Sequence, residues 1–495
     1  MSSIITNNFR YNIAESFITS LYENNVYIFI SRSQKWNSEE YANNPAVSDT
    51  AAPTPVANLD EYSRIHDNMI AIKKLDPSLD IARVIKKISW KEGRIYDMYK
   101  HNYSIINPTA SGATTLADSL FYVVNSQFQV FKCIYNGQTP ETPLGIPTVS
   151  GSEPVVTGSP TTIITTSDGY RWKFMYSIDT QKVLSFANNN YIPIYNDATV
   201  TSAAIPGTID QINITNRGNN LTSGIYYTKV LGNGSGAIAK ITIPNDNANQ
   251  FNQKISSISL VSVGHNYTYA YIDLTKVYSN IECTLSTTIS TALATLNYYA
   301  EPIVAPLIGH GGFPETELEY YRVALAPKLT SVDGDVPVNI SYRQYGLLSN
   351  PITDNSTQVF SDVTGNTAYK VNIPSGFTGS FANGDKITQS NTNAVGVVIA
   401  WDSVNKVLTY YQNAFTNAGN ITPFSGTNII TSASGIAATP NTSFSGTLVN
   451  STYVFGYAKS EIKKYSGDIW YIESRSSTIN RSQDQEERIL LILEF

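Results

Sequence analysis

A mostly β chain divided among several domains is expected from three features of this 495-residue sequence. Charged residues make up 15% of it, against roughly 25% in an average soluble domain. It holds 33 tyrosines and is rich in Ser, Thr, Asn and Gly. Tyrosine and β-branched residues suit a pleated, half-buried surface, while Asn, Gly, Ser and Pro supply turns between short strands. The length exceeds what one hydrophobic core serves, so roughly two to four domains are expected. They should be antiparallel sandwiches or small barrels, with a short N-terminal helix and two inserted β-modules.

The helix is read from Phe9, Ile13, Phe17 and Leu21, which recur every four residues and would set one apolar stripe against a core. Asn7 or Asn8 is its expected cap. Val26-Tyr27-Ile28-Phe29-Ile30 follows as a strand running into a loop that carries Arg32 and Trp36, and a Pro/Ala/Asn-rich loop spans 43 to 58. Residues 62 to 100 place Lys73, Lys74, Lys86 and Lys87 beside Trp90, Tyr96 and Tyr99. Such interleaving can bind single-stranded nucleic acid. Here Asp67, Asp76, Asp80, Glu92 and Asp97 neutralise the patch, which reads as a solvated rim beside packed aromatics. Phe121 to Val124 and Gln129 to Tyr135 are strand candidates. The Thr/Pro/Ser/Gly-rich tract 139–168 is expected as an extended surface arm or a long ordered loop.

An internal repeat follows. Ile209-x-x-Ile212-x-Ile214 with Gly218, Asn220 and Thr222 returns 46 positions later as Ile255-x-x-Ile258-x-Leu260 with Gly264, Asn266 and Thr268. Two copies of one hairpin unit are implied, too few for a free-standing solenoid, so 203–297 reads as an inserted β-module with two-fold internal repeat. A second inserted module, 354–455, is almost free of helix formers. In it, Gly396–Trp401 and Lys406–Tyr411 flank a turn at 402–405, a hairpin pattern. Phe381-x-x-Gly384-Asp385-x-Ile387 and Phe424-x-Gly426-x-x-Ile429 look like equivalent strand starts of a small barrel or sandwich. Framework segments 1–202, 298–353 and 456–495 surround the modules. The last holds a strand from 468 to 473 and the apolar run Ile489–Leu493, expected as a central buried strand.

Chemistry-bearing patterns are weak throughout. A net charge of −6 without basic clusters argues against nucleic acid or anionic lipid as partner. The N-terminus lacks a leader pattern, and no apolar run approaches the ~20 residues of a membrane helix. Cys133 and Cys283 are read as reduced and buried, and the sequons at Asn213, Asn266 and Asn355 as products of composition. His66, His101, His265 and His310 are scattered singly, so no metal site is expected. His310-Gly311-Gly312 lacks the nucleophile elbow that an esterase oxyanion loop would accompany and reads as a glycine-rich turn. Gly232-Asn233-Gly234-Ser235-Gly236 continues into a strand where a phosphate loop needs a helix. Glu486 and Glu487 read as surface charge rather than a glycosidase pair. No catalytic residue and no cofactor is expected.

Four ordered segments nevertheless form a pattern: Tyr27-Ile28-Phe29-Ile30-Ser31-Arg32-Ser33-x-x-Trp36; Asp168-Gly169-Tyr170-x-Trp172-Lys173-Phe174-Met175-Tyr176-x-Ile178; Tyr342-Arg343-Gln344-Tyr345-Gly346-Leu347-Leu348-x-Asn350-Pro351; and Ser466-Gly467-Asp468-Ile469-x-Tyr471-x-Glu473-x-Arg475, continuing through Asp484-Gln485-x-Glu487. In this order the chain resembles the baseplate wedge subunits of the gene-eight type from T-even-like contractile-tailed phages. The resemblance covers the framework segments and leaves the two modules outside it. It implies a mostly β, non-catalytic structural protein that forms a homodimer and packs against other wedge subunits, in a virion tail baseplate assembled in the host cytoplasm. The alternative expectation is a receptor-binding or carbohydrate-binding tail adhesin, with the inserted modules touching the host surface. The candidate interface or framework residues are Arg32, Trp36, Asp168, Tyr170, Trp172, Arg343, Trp470 and Arg475. Trp36, Trp172 and Trp470 are read as core anchors ahead of interface residues. Arg32, Arg343 and Arg475 are read as interface or loop-clamping residues, since a guanidinium holds carbonyls or a carboxylate in fixed geometry.

Overall fold

The computed structural model describes residues 6–36, 41, 46–141, 149–289, 300–414, 417 and 421–495. Strands form 37% of the chain and helices 10%, in multiple antiparallel sheets with a short N-terminal helix. None of the sheets among the described residues closes into a barrel, so open sheets replace the small barrels expected above. The chain divides into two compact units, one of residues 1–15, 82–324 and 492–495, the other of 16–81 and 325–491.

The cut falls inside the N-terminal helix, Asn7–Glu23. Its cap lies one residue earlier than expected, because Thr6 Oγ1 accepts from the Phe9 amide at 3.3 Å. Its buried positions are Ala14, Ile18 and Leu21, whereas Phe9 and Ile13 are 54% and 36% exposed. Strict four-residue spacing drifts about 40° per step around a helix, so four such residues fan too widely to share one contact line. Spacing of four and then three keeps the stripe narrow.

In the first unit, two four-stranded sheets carry the framework. One runs in the order Leu491–Glu494, Arg322–Leu325, Ile81–Lys86, Tyr191–Pro193, and the other in the order Tyr122–Val124, Gln129–Tyr135, Arg171–Ser177, Ile163–Thr165. The C-terminal apolar run is therefore an edge strand with half-exposed Ile492 and Leu493, not a central one. Glu487–Arg488 pairs separately with Lys328–Leu329, so the run is broken before it can thread one sheet.

The repeated segments surround one core that includes Ile209, Ile212, Ile241, Ile255, Tyr267 and Val277. Each copy carries a turn with two left-handed residues, Gly218 and Asn220 in the first and Gly264 and Asn266 in the second. Glycine and asparagine tolerate that backbone best, which is why these residue types recur. The pairing is exchanged between copies, not confined to each. Ile209–Ile214 opens the first copy and pairs with Ala300–Val304, after the second. Ser257–His265, in the second copy, pairs with Ser235–Ile243, which closes the first.

In the second unit, a five-stranded sheet runs in the order Thr364–Asn366, Met69–Lys74, Val26–Ser31, Ile340–Ser349, Asp468–Arg481. Val26–Ser31 is buried at all six positions. Helix Leu59–Asn68, for which the sequence offered no expectation, is capped by Asn58, whose Oδ1 accepts from the Glu61 amide at 2.8 Å. A seven-stranded sheet spans Tyr369 to Ala458 and contains the hairpin Ala394–Asp402 with Val407–Tyr411. Its edges, Ala437–Ala438 and Tyr457–Ala458, are two residues each, too little backbone to seal a cylinder. The paired strand starts do meet, Ile387 opposite Ser432 and Gln389 opposite Ile430. Ile430 is buried while Ile429 is 47% exposed, so the equivalence lies one residue beyond the expected one.

Candidate functional site: two clamps, a buried charge cluster and a polar cleft

The long edge strand Asp468–Arg481 departs twice from regular pairing with Ile340–Ser349. Leu347 faces Tyr471 and Leu348 faces Ile469, which leaves Trp470 as the extra residue of a bulge. That explains why Trp470 is 38% exposed and packs against Phe17 of the helix with ring centroids 6.1 Å apart. The second break lies between Ser474, opposite Gln344, and Ile479, opposite Tyr342.

The extruded residues 475–478 are held by a clamp. Trp36, fully buried, donates from Nε1 to the Arg475 carbonyl at 2.7 Å. Arg343 donates from Nη1 to the Ser476 carbonyl. Arg32, 1% exposed and left-handed at φ 60°, lies 4.3 Å over the Trp36 ring and donates to the Lys35 carbonyl at 2.9 Å. Its own carbonyl accepts from the Arg343 amide at 2.9 Å. Three distant motifs thus meet at one point, and the clamp interrupts an edge that would otherwise offer a continuous ladder. Arg475 supplies its backbone; its half-exposed side chain reaches Glu473 at 3.7 Å.

Asp168 organises a second clamp, in the first unit. Its carboxylate accepts from Ser150 Oγ and from the amides of Gly151, Ser152 and Tyr170 at 2.9–3.2 Å, and from Thr166 Oγ1 at 2.5 Å. Burial pushes its pKa up, but the bonds from Thr166, Tyr170, Gly151 and Ser152 outweigh it and leave it below the ordinary carboxylate value. The middle of the Thr/Pro tract, at Ser150 to Ser152, is thereby tied to the turn that opens Arg171–Ser177. Tyr170 and Trp172, both fully buried, stack at 5.4 Å, and Tyr96 meets Trp172 edge-on at 5.8 Å.

Sequence reading missed a buried charge cluster in the same unit. Lys132 and Lys173 lie opposite each other on neighbouring strands, an arrangement that repels. Glu317 relieves it by pairing with Lys132, the two side chains being 2% and 0% exposed. The amides of Gly311 and Phe313 each donate to Glu317 at 3.1 Å, so the His310-Gly311-Gly312 turn serves as a cradle for this carboxylate. Burial, reinforced by Lys132 and Lys173, holds His310 well below its ordinary pKa and hence neutral. Nothing in the sequence signals the pair, whose members lie 185 positions apart.

A polar cleft of about 470 Å³ lies in the second unit beside the clamp, lined by Ser33, Lys35, Arg343, Asn383, Asp385 and Thr478 among others. It joins a framework loop to the turn before Lys386–Gln389, where Gly384 takes φ 84°. Of these lining residues, only Arg343 stands among the candidates the sequence offers. Among the described residues, no group of three or more His, Cys, Asp or Glu is placed to hold a metal ion, and no helix is long and apolar enough to cross a membrane. Compared with known proteins, the chain matches no family model and no curated protein.

Proposed function

We propose that this chain is a non-catalytic structural subunit of a contractile phage tail, a baseplate wedge protein that pairs with a second copy of itself and with neighbouring wedge subunits. The observation that carries the reading is the convergence of the resembling motifs. Segments around Arg32, Arg343 and Arg475, remote in sequence, supply adjoining strands of one sheet and a shared clamp. Trp36 Nε1, Arg32 Nη2 and Arg343 Nη1 each hold a backbone carbonyl, which suits a framework. An assembly role is also supported by Ile105 and Ile106, 84% and 95% exposed. They sit in a turn closed by reciprocal backbone bonds between Ser104 and Asn107 at 3.1 and 3.0 Å. Its base is tied by Tyr103 to the Met98 carbonyl at 2.6 Å and by Asn102 to Glu301 at 3.1 Å. A rigid apolar knob loses little entropy on docking and gains by being covered.

The test is light scattering of the purified chain together with the protein composition of purified tails. A dimer present in tails is expected, and Ile106→Asp should reduce incorporation without lowering Tm. A stable monomer absent from tails would refute the proposal.

A further inference from the structure

The cleft beside the clamp holds donors that lack acceptors. Arg343 is 7% exposed; Nη1 serves the Ser476 carbonyl, while Nε is shielded from water and has no partner among the described residues. No carboxylate of those residues lies within ion-pair distance of it. Ser33 Oγ, on the same cleft, is equally shielded and equally without a partner. A buried guanidinium and a buried hydroxyl short of acceptors at one opening call for an oxyanion. Lys35 adds a second cation at the rim, 71% exposed and only loosely engaged with Asp49 at 3.9 Å.

The opposite wall has the reverse chemistry. Asp385 accepts from Ser434 Oγ through one oxygen at 2.6 Å, and its other oxygen has no partner among the described residues. Asn383 uses its Nδ2 on the Asn339 carbonyl at 2.9 Å and so offers its Oδ1. These groups need hydroxyl donors, and Asp385 repels a polyphosphate. We propose that the cleft binds an acidic saccharide, with the sugar carboxylate on Lys35 and, through side-chain turns that uncover Nε and Oγ, on Arg343 and Ser33, and its hydroxyls on Asp385, Asn383 and Thr478. About 470 Å³ falls in the range of small-molecule sites and suits one or two sugar rings. An acidic peptide supplies the carboxylate but not the clustered hydroxyls. The site joins a framework loop to an inserted module, and it stands independently of the baseplate reading.

Calorimetric titration of the full chain with a galacturonate trisaccharide, the matching galactose trisaccharide and a Glu-rich hexapeptide tests the proposal. The galacturonate should bind saturably, weaken with added salt, and exceed both other probes by about tenfold, the value of one charge-assisted contact. The exposed-side variants Lys35→Gln and Asp385→Asn should each lower galacturonate affinity several-fold at unchanged Tm. These two variants are the decisive ones, because Arg343→Lys also disturbs the 475–478 bulge. Equal binding of the neutral sugar or of the peptide, unchanged affinity in both variants, or no saturable binding of galacturonate would overturn the proposal. Each of these outcomes leaves dimerisation and tail incorporation untouched, so the two readings fail separately.

Discussion

Replacing Lys132 with methionine should destabilise the first unit by about 3 kcal/mol, the low end of the roughly 3–5 kcal/mol measured when one partner of a buried ion pair is removed. The low end applies because Glu317 keeps two amide donors, from Gly311 and Phe313 at 3.1 Å, which continue to stabilise its charge. What remains is a carboxylate with 2% side-chain exposure and no cation bonded to it. The double variant Lys132→Met/Glu317→Gln removes both charges and should recover part of the loss, since the glutamine oxygen can still accept from one of the two amides, which donate to different carboxylate oxygens. Segment-resolved hydrogen exchange on the strands Gln129–Tyr135 and Arg171–Ser177 measures the effect locally and avoids assuming that both units unfold together. A loss under about 1 kcal/mol in the single variant, or a double variant no better than the single, would refute the view that Glu317 exists to neutralise Lys132.

Gly346→Ala should cost about 3 kcal/mol, because a Cβ there would press into the Tyr471 carbonyl oxygen and lie 2.6 Å from Phe29 Cζ; chemical denaturation reads the loss. Trp36→Phe orphans the Arg475 carbonyl and should cost about 1–3 kcal/mol, with faster amide exchange at residues 474–479 as its local signature. His66 is buried, and burial followed by the nearby Lys464 lowers its pKa from 6.5 to about 4. Between those values the unfolded chain binds a proton that the folded chain refuses, so stability falls as pH drops from 6.5 towards 4, by at most about 3 kcal/mol. In His66→Gln the acid limb of Tm against pH should flatten; an unchanged slope would count against a buried neutral imidazole.

Much of the secondary structure was legible from local pattern. The runs at 26–31, 129–135 and 394–411 are apolar or alternating and flanked by turn residues, and each became the expected strand or hairpin. The recurrence of Gly and Asn at positions 218, 220, 264 and 266 reflects a backbone requirement, since all four take positive φ, and such requirements are written in residue type. Spacing was a weaker guide where two registers fit equally well. The N-terminal helix and the Ile429/Ile430 step each moved because burial depends on a neighbour's position, not on the segment itself.

The sites were legible only in part. Trp36, Arg32 and Arg343 stand out as bulky, charged or aromatic residues beside turns, but nothing in the order of residues says that they converge on carbonyls 475 and 476. The bulge that expels Trp470 exists only in the pairing of Asp468–Arg481 with Ile340–Ser349. Lys132 and Glu317 look like ordinary surface charges until the sheet places two lysines face to face and the glycine turn delivers a carboxylate to them. Composition and short-range pattern determined that this chain is built of strands and turns, because those preferences act over a few residues. Pairing across hundreds of residues decided which charges are buried, where the edge is broken and which donors are left facing a cleft, because those outcomes depend on distance in space and on exclusion of water.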